Sequence, residues 1–188
     1  MRRLSVFETV SVDGYFTDAN NDMSWAHAGE ADAEWNEYVS GNASGGGVLL
    51  FGRVTYEMMA SFWPTPAAFQ AMPIVAKRMN DGQKIVFSRT MTRAEWKNTT
   101  VINDDLVAAV RRLKNESGGD MVILGSGSIV AQLVAAGLID ELQLVVKPVV
   151  LGAGRTPFDG MPQRQLLERT STREFRNGNV VSHYRPVK

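Results

Sequence analysis

Short apolar runs alternate with helical periodicities along this chain. The apolar runs lie at 4–11, 48–51, 84–87, 100–102, 121–124 and 142–150. Most lack the in-out alternation of a half-exposed strand, so they predict strands covered on both faces, as in a parallel sheet. Between them, helical patterns occupy 32–39, 53–62, 73–79, 104–116 and 128–136. In 104–116, Leu106, Val107, Val110 and Leu113 share one face, with Asp104 or Asn103 as the N-cap. Gly137 follows the last helix, where a left-handed glycine commonly ends one. In the tail, 166–175 and 180–187 flank Arg176-Asn177-Gly178-Asn179. Asn-Gly between two extended runs predicts a hairpin. The pattern is that of one α/β domain over 1–188. It has a mostly parallel central sheet, helices on both faces through right-handed crossovers, and a C-terminal antiparallel hairpin.

Three strand ends carry anion-binding chemistry. Met121-Val122-Ile123-Leu124 runs into Gly125-Ser126-Gly127-Ser128 and then into a helix beginning Ile129-Val130. This places backbone N–H groups and a helix N-terminus at the end of a buried strand, a site suited to phosphate. Phe51-Gly52-Arg53-Val54-Thr55 puts a glycine at a strand end, with Arg53 and Thr55 in the first helical turn. Val86-Phe87-Ser88-Arg89-Thr90 sends two hydroxyls and a guanidinium off a third strand, a set suited to a terminal phosphate. Alone, each has a plain structural alternative: a tight turn, a solvated arginine, a polar loop. Together they predict an extended ligand with several phosphates, bound beyond the carboxyl ends of the strands. A dinucleotide bearing a 2′-phosphate meets all three, which favours NADP over NAD. Position 130 is Val where the Rossmann fingerprint has its third glycine, so that fold is disfavoured.

Composition narrows the classes. Lys+Arg and Asp+Glu both number 20, giving zero net charge and no basic excess for nucleic acid or membrane surfaces. There is no cysteine, which excludes disulfides, thiolate metal sites and cysteine nucleophiles, and agrees with a cytoplasmic location. Glu8 interrupts the apolar N-terminal run, so a signal peptide is not expected. No apolar stretch approaches the roughly 20 residues that span a bilayer. No metal site is expected.

The segments 51–57, 86–90 and 123–129 together resemble the dihydrofolate reductase-like fold. Within it they are most similar to the riboflavin-biosynthesis reductase branch, the C-terminal half of a bifunctional deaminase–reductase. Ser11-Val12-Asp13-Gly14-Tyr15 supports that branch, as does Gly137-Leu138-Ile139-Asp140-Glu141-Leu142, continuing through Pro148 to Phe158. The resemblance covers nearly the whole chain. It implies a sheet of about eight strands, NADPH as hydride donor and a homodimer. By position, Gly52, Arg53 and Thr55 would meet the cofactor phosphates, and Ser88 and Arg89 the adenosine ribose and its 2′-phosphate. Gly125, Ser126, Gly127, Ser128 and Ile129 would hold the pyrophosphate and nicotinamide side. Reductase chemistry alone is implied, since the deaminase half needs a zinc site with two cysteines.

On the substrate side, Asp13 is the candidate catalytic residue, as a proton relay or hydrogen-bonding group, though Asp-Gly is also an ordinary turn. Ser11 and Trp25 are candidate substrate contacts, Trp25 by stacking on a flat ring. His27 has a suitable ordinary pKa but also reads as a loop histidine. Met58, Met59, Met72 and Met79 suit either a pocket or the core. Phe62, Trp63 and Phe69 flank Pro64-Thr65-Pro66 and could form a lid. His183 reads as structural or as a subunit contact. The expected activity is hydride transfer to a small pterin-like or ribosylamino-pyrimidine-like heterocycle. The alternatives are a true dihydrofolate reductase and a non-catalytic nucleotide-binding module. Against the former, Trp25 is followed by no proline, and Glu30, Asp32 and Glu34 are out of register with a pterin-gripping acid.

Overall fold

A computed structural model describes residues 1–27 and 32–187. Strands β1 (Leu4–Ser11), β3 (Val48–Gly52), β4 (Lys84–Phe87), β5 (Thr99–Ile102), β6 (Met121–Leu124) and β7 (Glu141–Lys147) run parallel. The hairpin β9 (Leu167–Glu174) and β10 (Val180–Pro186) extends the sheet, with β10 antiparallel to both its neighbours. The strand order is β5-β4-β3-β6-β1-β7-β10-β9. Two further strands, β2 (Thr17–Asp18) and β8 (Gly154–Arg155), pair separately as a short ribbon.

Among the described residues, six α-helices complete the fold: α1 (Ala33–Ser44), α2 (Arg53–Phe62), α3 (Pro66–Ala71), α4 (Pro73–Asp81), α5 (Leu106–Asn115) and α6 (Gly127–Ala135). β3 and β4 are buried along their whole length because helices cover both faces. On one face, Leu4, Val6, Leu50 and Ile123 pack against α5 and α6 through Val110, Ile129 and Leu133. On the other, Leu49, Phe51 and Val86 pack against α2 and α4 through Tyr56, Val75 and Met79. A third cluster joins Trp35 and Tyr38 of α1 to Val145, Phe175 and Val181. Among the described residues, no helix is long and apolar enough to cross a membrane.

Several predicted boundaries move. Asp105, not Asp104 or Asn103, caps α5, its carboxylate accepting from the Ala108 amide at 2.9 Å. The first helix begins one residue later than predicted and runs on to Ser44, with Asp32 as its N-cap. β7 stops at Lys147 rather than at 150, because Pro148 has no N–H to continue a ladder. Pro64-Thr65-Pro66 is less a break than a helix start: Pro66 opens α3, and Thr65 caps it. Met79 is core, Met59 and Trp63 are partly buried beside it, and Phe62 and Phe69 are exposed. The hairpin forms as predicted, closed by Phe175 N–H to Asn179 O at 2.9 Å, with Gly178 at φ +83°. Gly137 takes φ +67° and ends α6 as expected.

One buried cation holds the far side of the sheet. Lys84 is 1% exposed, and its ammonium donates to Met79 O, Asn80 O and Gly82 O at 2.8, 3.2 and 2.7 Å. It also lies 4.5 Å from the Trp96 ring centroid. The charge therefore closes the C-terminus of α4, where free carbonyls and the helix dipole favour a cation. Burial lowers its pKa to about 8. Replacement by methionine keeps the bulk but leaves those carbonyls without a donor. Urea denaturation of Lys84→Met should show a loss of about 2 kcal/mol or more.

Candidate functional site

β4, β3, β6, β1 and β7 are consecutive parallel neighbours, so their carboxyl ends share one edge. The chain steps from β1 outward through β3, β4 and β5. It then returns to insert β6 between β3 and β1, and ligands collect where strand order reverses in this way. The three predicted anion sites stand at the ends of β4, β3 and β6, three strands in a row. From the end of β4 to the end of β1 is about 14 Å.

The β3 and β6 loops are physically joined. Gly52 N–H donates to Ser126 Oγ at 3.0 Å in a buried contact. Ser126 takes the left-handed conformation at φ 68°, uncommon for a residue with a side chain, and is 5% exposed. Gly125 is also left-handed at φ +60°, and a Cβ there would stand 3.4 Å from Thr55 Cγ2. Thr55 and Gly125 thus face each other across the seam. α2 and α6 both begin here, and the first-turn amides of each have no partner inside the helix. Two sets of N–H donors therefore converge, with Arg53 on the rim in an exposed pair with Glu57.

The structure divides the predicted site residues. Ile129 is a core residue, and its amide is spent on Ser126 O at 2.9 Å. It supports the loop from beneath, with its side chain in the core. Ser126 likewise ties the two loops together. Ser88 Oγ accepts from the Thr90 and Met91 amides at 3.2 and 3.0 Å, shaping the turn that leaves Arg89 exposed. Gly127 lies under a lid built by the β2–β8 ribbon. A Cβ there would come within 2.7 Å of Phe16 Cε1 and 3.0 Å of Pro157 Cα. Beside it, a cleft of about 490 Å³ is lined by Ser128, Gln132, Arg155, Thr156 and Asp159, among others.

Beyond β1 and β7 lies a second group. Asp13 accepts from the amides of Leu151 and Gly152 at 3.1 and 2.7 Å. The Ser11 hydroxyl, with these amides, holds its carboxyl below the usual range, so Asp13 is an anion that pins the 150–152 turn. Ser11 is buried and also accepts from Tyr15 N–H at 3.0 Å. Trp25 Nε1 is buried without a hydrogen-bond partner among the described residues. Lys147 donates to Ala26 O at 2.9 Å. Burial, then the Lys147 charge, keeps the His27 imidazole below its ordinary pKa and therefore neutral. Asp32 is spent on capping α1, and Glu34 pairs with Arg173 at 2.9 Å. Glu30 lies outside the described residues. His183 is structural, its Nδ1 2.8 Å from Glu141 Oε1.

With two converging helix starts and a third polar loop in line, the architecture is open to comparison. The sequence profile of the RibD C-terminal domain family matches residues 2–181. This chain belongs to that family. It is 27% identical over 185 residues to the uncharacterized protein YyaP of Bacillus subtilis, covering 97% of this chain and 95% of YyaP. Its fold is that of dihydrofolate reductase from Enterococcus faecalis complexed with NADP(H). That match has a TM-score of 0.65 at 15% identity and covers 99% of this chain and 97% of that one. It also matches a diaminohydroxyphosphoribosylaminopyrimidine deaminase/5-amino-6-(5-phosphoribosylamino)uracil reductase from Thermotoga maritima. There the TM-score is 0.69 at 13% identity, covering 99% of this chain and 57% of that one. The dihydrofolate reductase-like architecture expected from the sequence is therefore the one observed.

Within this RibD C-terminal domain, two residues beside the candidate site carry little signal in the sequence. Lys147 is a charged residue at the carboxyl end of a buried strand, a signal masked by extending that strand to 150. Glu8 is a lone acid in the apolar run LSVFETVS. It is 1% exposed, and among the described residues neither carboxylate oxygen has a hydrogen-bond partner. Burial pushes its pKa up to about 8, against a weak opposing effect of the Thr9 amide. Glu8 is thus a neutral acid at pH 7.

Two outcomes follow from this geometry. Gly127→Ala drives a methyl group into Phe16 and the Pro157 backbone. It should cost about 1–3 kcal/mol in chemical denaturation. Glu8 holds a proton in the folded state between its ordinary pKa of 4.5 and about 8, where the unfolded chain has released it. Its contribution to stability therefore falls as pH rises through that window and is level above it. The melting temperature of Glu8→Gln minus that of the wild type should rise from pH 5 to pH 8 and then flatten.

Proposed function

We propose that this protein is an NADPH-dependent reductase that delivers a hydride to a C=N or C=O carbon of a small heterocycle, pterin-like or ribosylamino-pyrimidine-like. The observation that carries this reading is the alignment of three anion-binding loops on adjacent strand ends. The 2′-phosphate would sit at Arg89 and Ser88, where an exposed guanidinium meets a hydroxyl-shaped turn. The pyrophosphate would lie against Gly52, Arg53, Thr55 and the Gly125–Ser128 turn. Bound NADPH supplies the hydride. Ser11, Trp25, His27 and Lys147 would line the substrate side, with Asp13 fixing the turn behind them. Family membership and the NADP(H) complex of a protein with the same fold support the cofactor assignment. The reductase in the name of the Thermotoga protein supports the reaction class. In this proposal the edge strand β9, exposed along all eight residues, would form the contact of a homodimer, and the protein would act in the cytoplasm.

A true dihydrofolate reductase is the weaker alternative, because Asp32 and Glu34 are engaged elsewhere. Turnover of dihydrofolate would reverse that ranking. The four tryptophans provide the binding signal. Wild-type protein should bind NADPH at micromolar levels, and Arg89→Ala should bind it about tenfold more weakly or worse, with little change for NADH. Equal loss for both cofactors would remove Arg89 from the 2′-phosphate site. Binding with no reduction of any pterin or pyrimidine would leave a nucleotide-binding module.

A further inference from the structure

Glu8 has no structural task. It occupies the central strand between β6 and β7, opposite Leu144, with Val6 before it on the same face. A leucine of similar size would spare the fold the cost of a buried, unpartnered carboxyl. Its position explains its presence better than packing does. Glu8 Oε1 lies 3.9 Å from where a Cβ of Gly125 would be, and Thr55 flanks the same point. The carboxyl therefore sits directly beneath the glycine turn at the junction of the two loops.

Resting on the cofactor reading above, we infer that Glu8 controls occupancy of the glycine-loop site from beneath the Gly125 turn, the site taking an anionic dinucleotide only while the Glu8 carboxyl carries no charge. An ionised Glu8 would set a second negative charge under the phosphate cradle in a water-poor setting, where like charges repel strongly. A protonated one sets no charge beneath the cradle and so does not repel the ligand. Occupancy of the site and protonation of Glu8 therefore favour each other.

Among the described residues, no neighbouring charge competes for this role. Burial and the Thr9 amide are what act on the Glu8 carboxyl. β6 and α6 carry no charged residue. On α2, Arg53 and Glu57 are exposed and paired with each other. On β7 and β10, Glu141 pairs with Arg3 and His183, and Lys147 with Ala26 O. Arg155 of the lid lies over Phe16 at 5.6 Å. On α5, Arg112 pairs with Asp104, Arg111 is exposed, and Lys114 meets Asp140 by the Leu4 amide, at the opposite end of the strands.

The test is NADPH affinity from pH 7 to pH 9.5 for wild type and Glu8→Gln. If the ionised form excludes the ligand, wild-type Kd should weaken about thirtyfold across that range, while Glu8→Gln stays nearly flat. Lys84 also titrates near pH 8 but is present in both proteins, so the comparison isolates Glu8. Titration calorimetry of the wild type alone, in buffers of different ionisation enthalpy, gives a second measure should the variant not fold. It should show about half a proton taken up per NADPH at pH 8, and nearly one at pH 9.5. A pH-independent wild-type Kd, the same decline in Glu8→Gln, or no proton uptake would each overturn the inference while leaving NADPH binding intact. Absence of NADPH binding at every pH would overturn the cofactor reading, and this inference with it.

Discussion

Across the seam between β3 and β6, the Gly52 amide donates to the Ser126 hydroxyl, and both groups are shut away from water. This bond fixes how two helix N-termini stand relative to each other. Without it, a buried amide at the end of β3 loses its partner and Ser126 loses the contact that holds it in a left-handed turn. The packing around the seam points the same way. Ile129 fills the space below Gly52, Thr55 faces Gly125, and Phe16 closes over Gly127. The anion site is thus a single object built from two loops distant in sequence, and the candidate ligand geometry depends on their being locked together.

Much of this was legible locally. A glycine after a buried strand, followed at once by a helix, is a short-range signal that marks the β3 and β6 loops, while the β4 loop shows itself by two hydroxyls and a guanidinium leaving a buried strand. The hairpin at Asn177-Gly178 was equally local. What could not be read locally was the order of the strands. That β6 returns between β3 and β1 is a long-range outcome of packing, and it turns three separate motifs into neighbours. Helix ends are ambiguous by a residue or more where several capping residues stand together, as at Asn103, Asp104 and Asp105. α3 was missed because proline signals both a break and a first helical turn.

The roles of individual side chains were harder still. Ser126 and Ile129 sit in the right loop, but one ties it to β3 and the other supports it from below. Asp13 looks like a free acid in sequence, yet its oxygens are committed to the 150–152 turn. Glu8 shows the reverse. In sequence it merely interrupts an apolar run; in the fold it is the unpartnered acid beneath the glycine turn. The chemical burden of a charged residue depends on what surrounds it on three strands, and a one-dimensional pattern does not contain that.

The central claim is that one dinucleotide lies across the carboxyl ends of β4, β3 and β6. A crystal structure of the protein with NADPH bound tests it most directly. The account predicts the pyrophosphate against the amides of Ser126 to Ser128 and the first turn of α2, with the 2′-phosphate on the Arg89 guanidinium. A cofactor bound elsewhere, or with its 2′-phosphate turned away from Arg89, would contradict it.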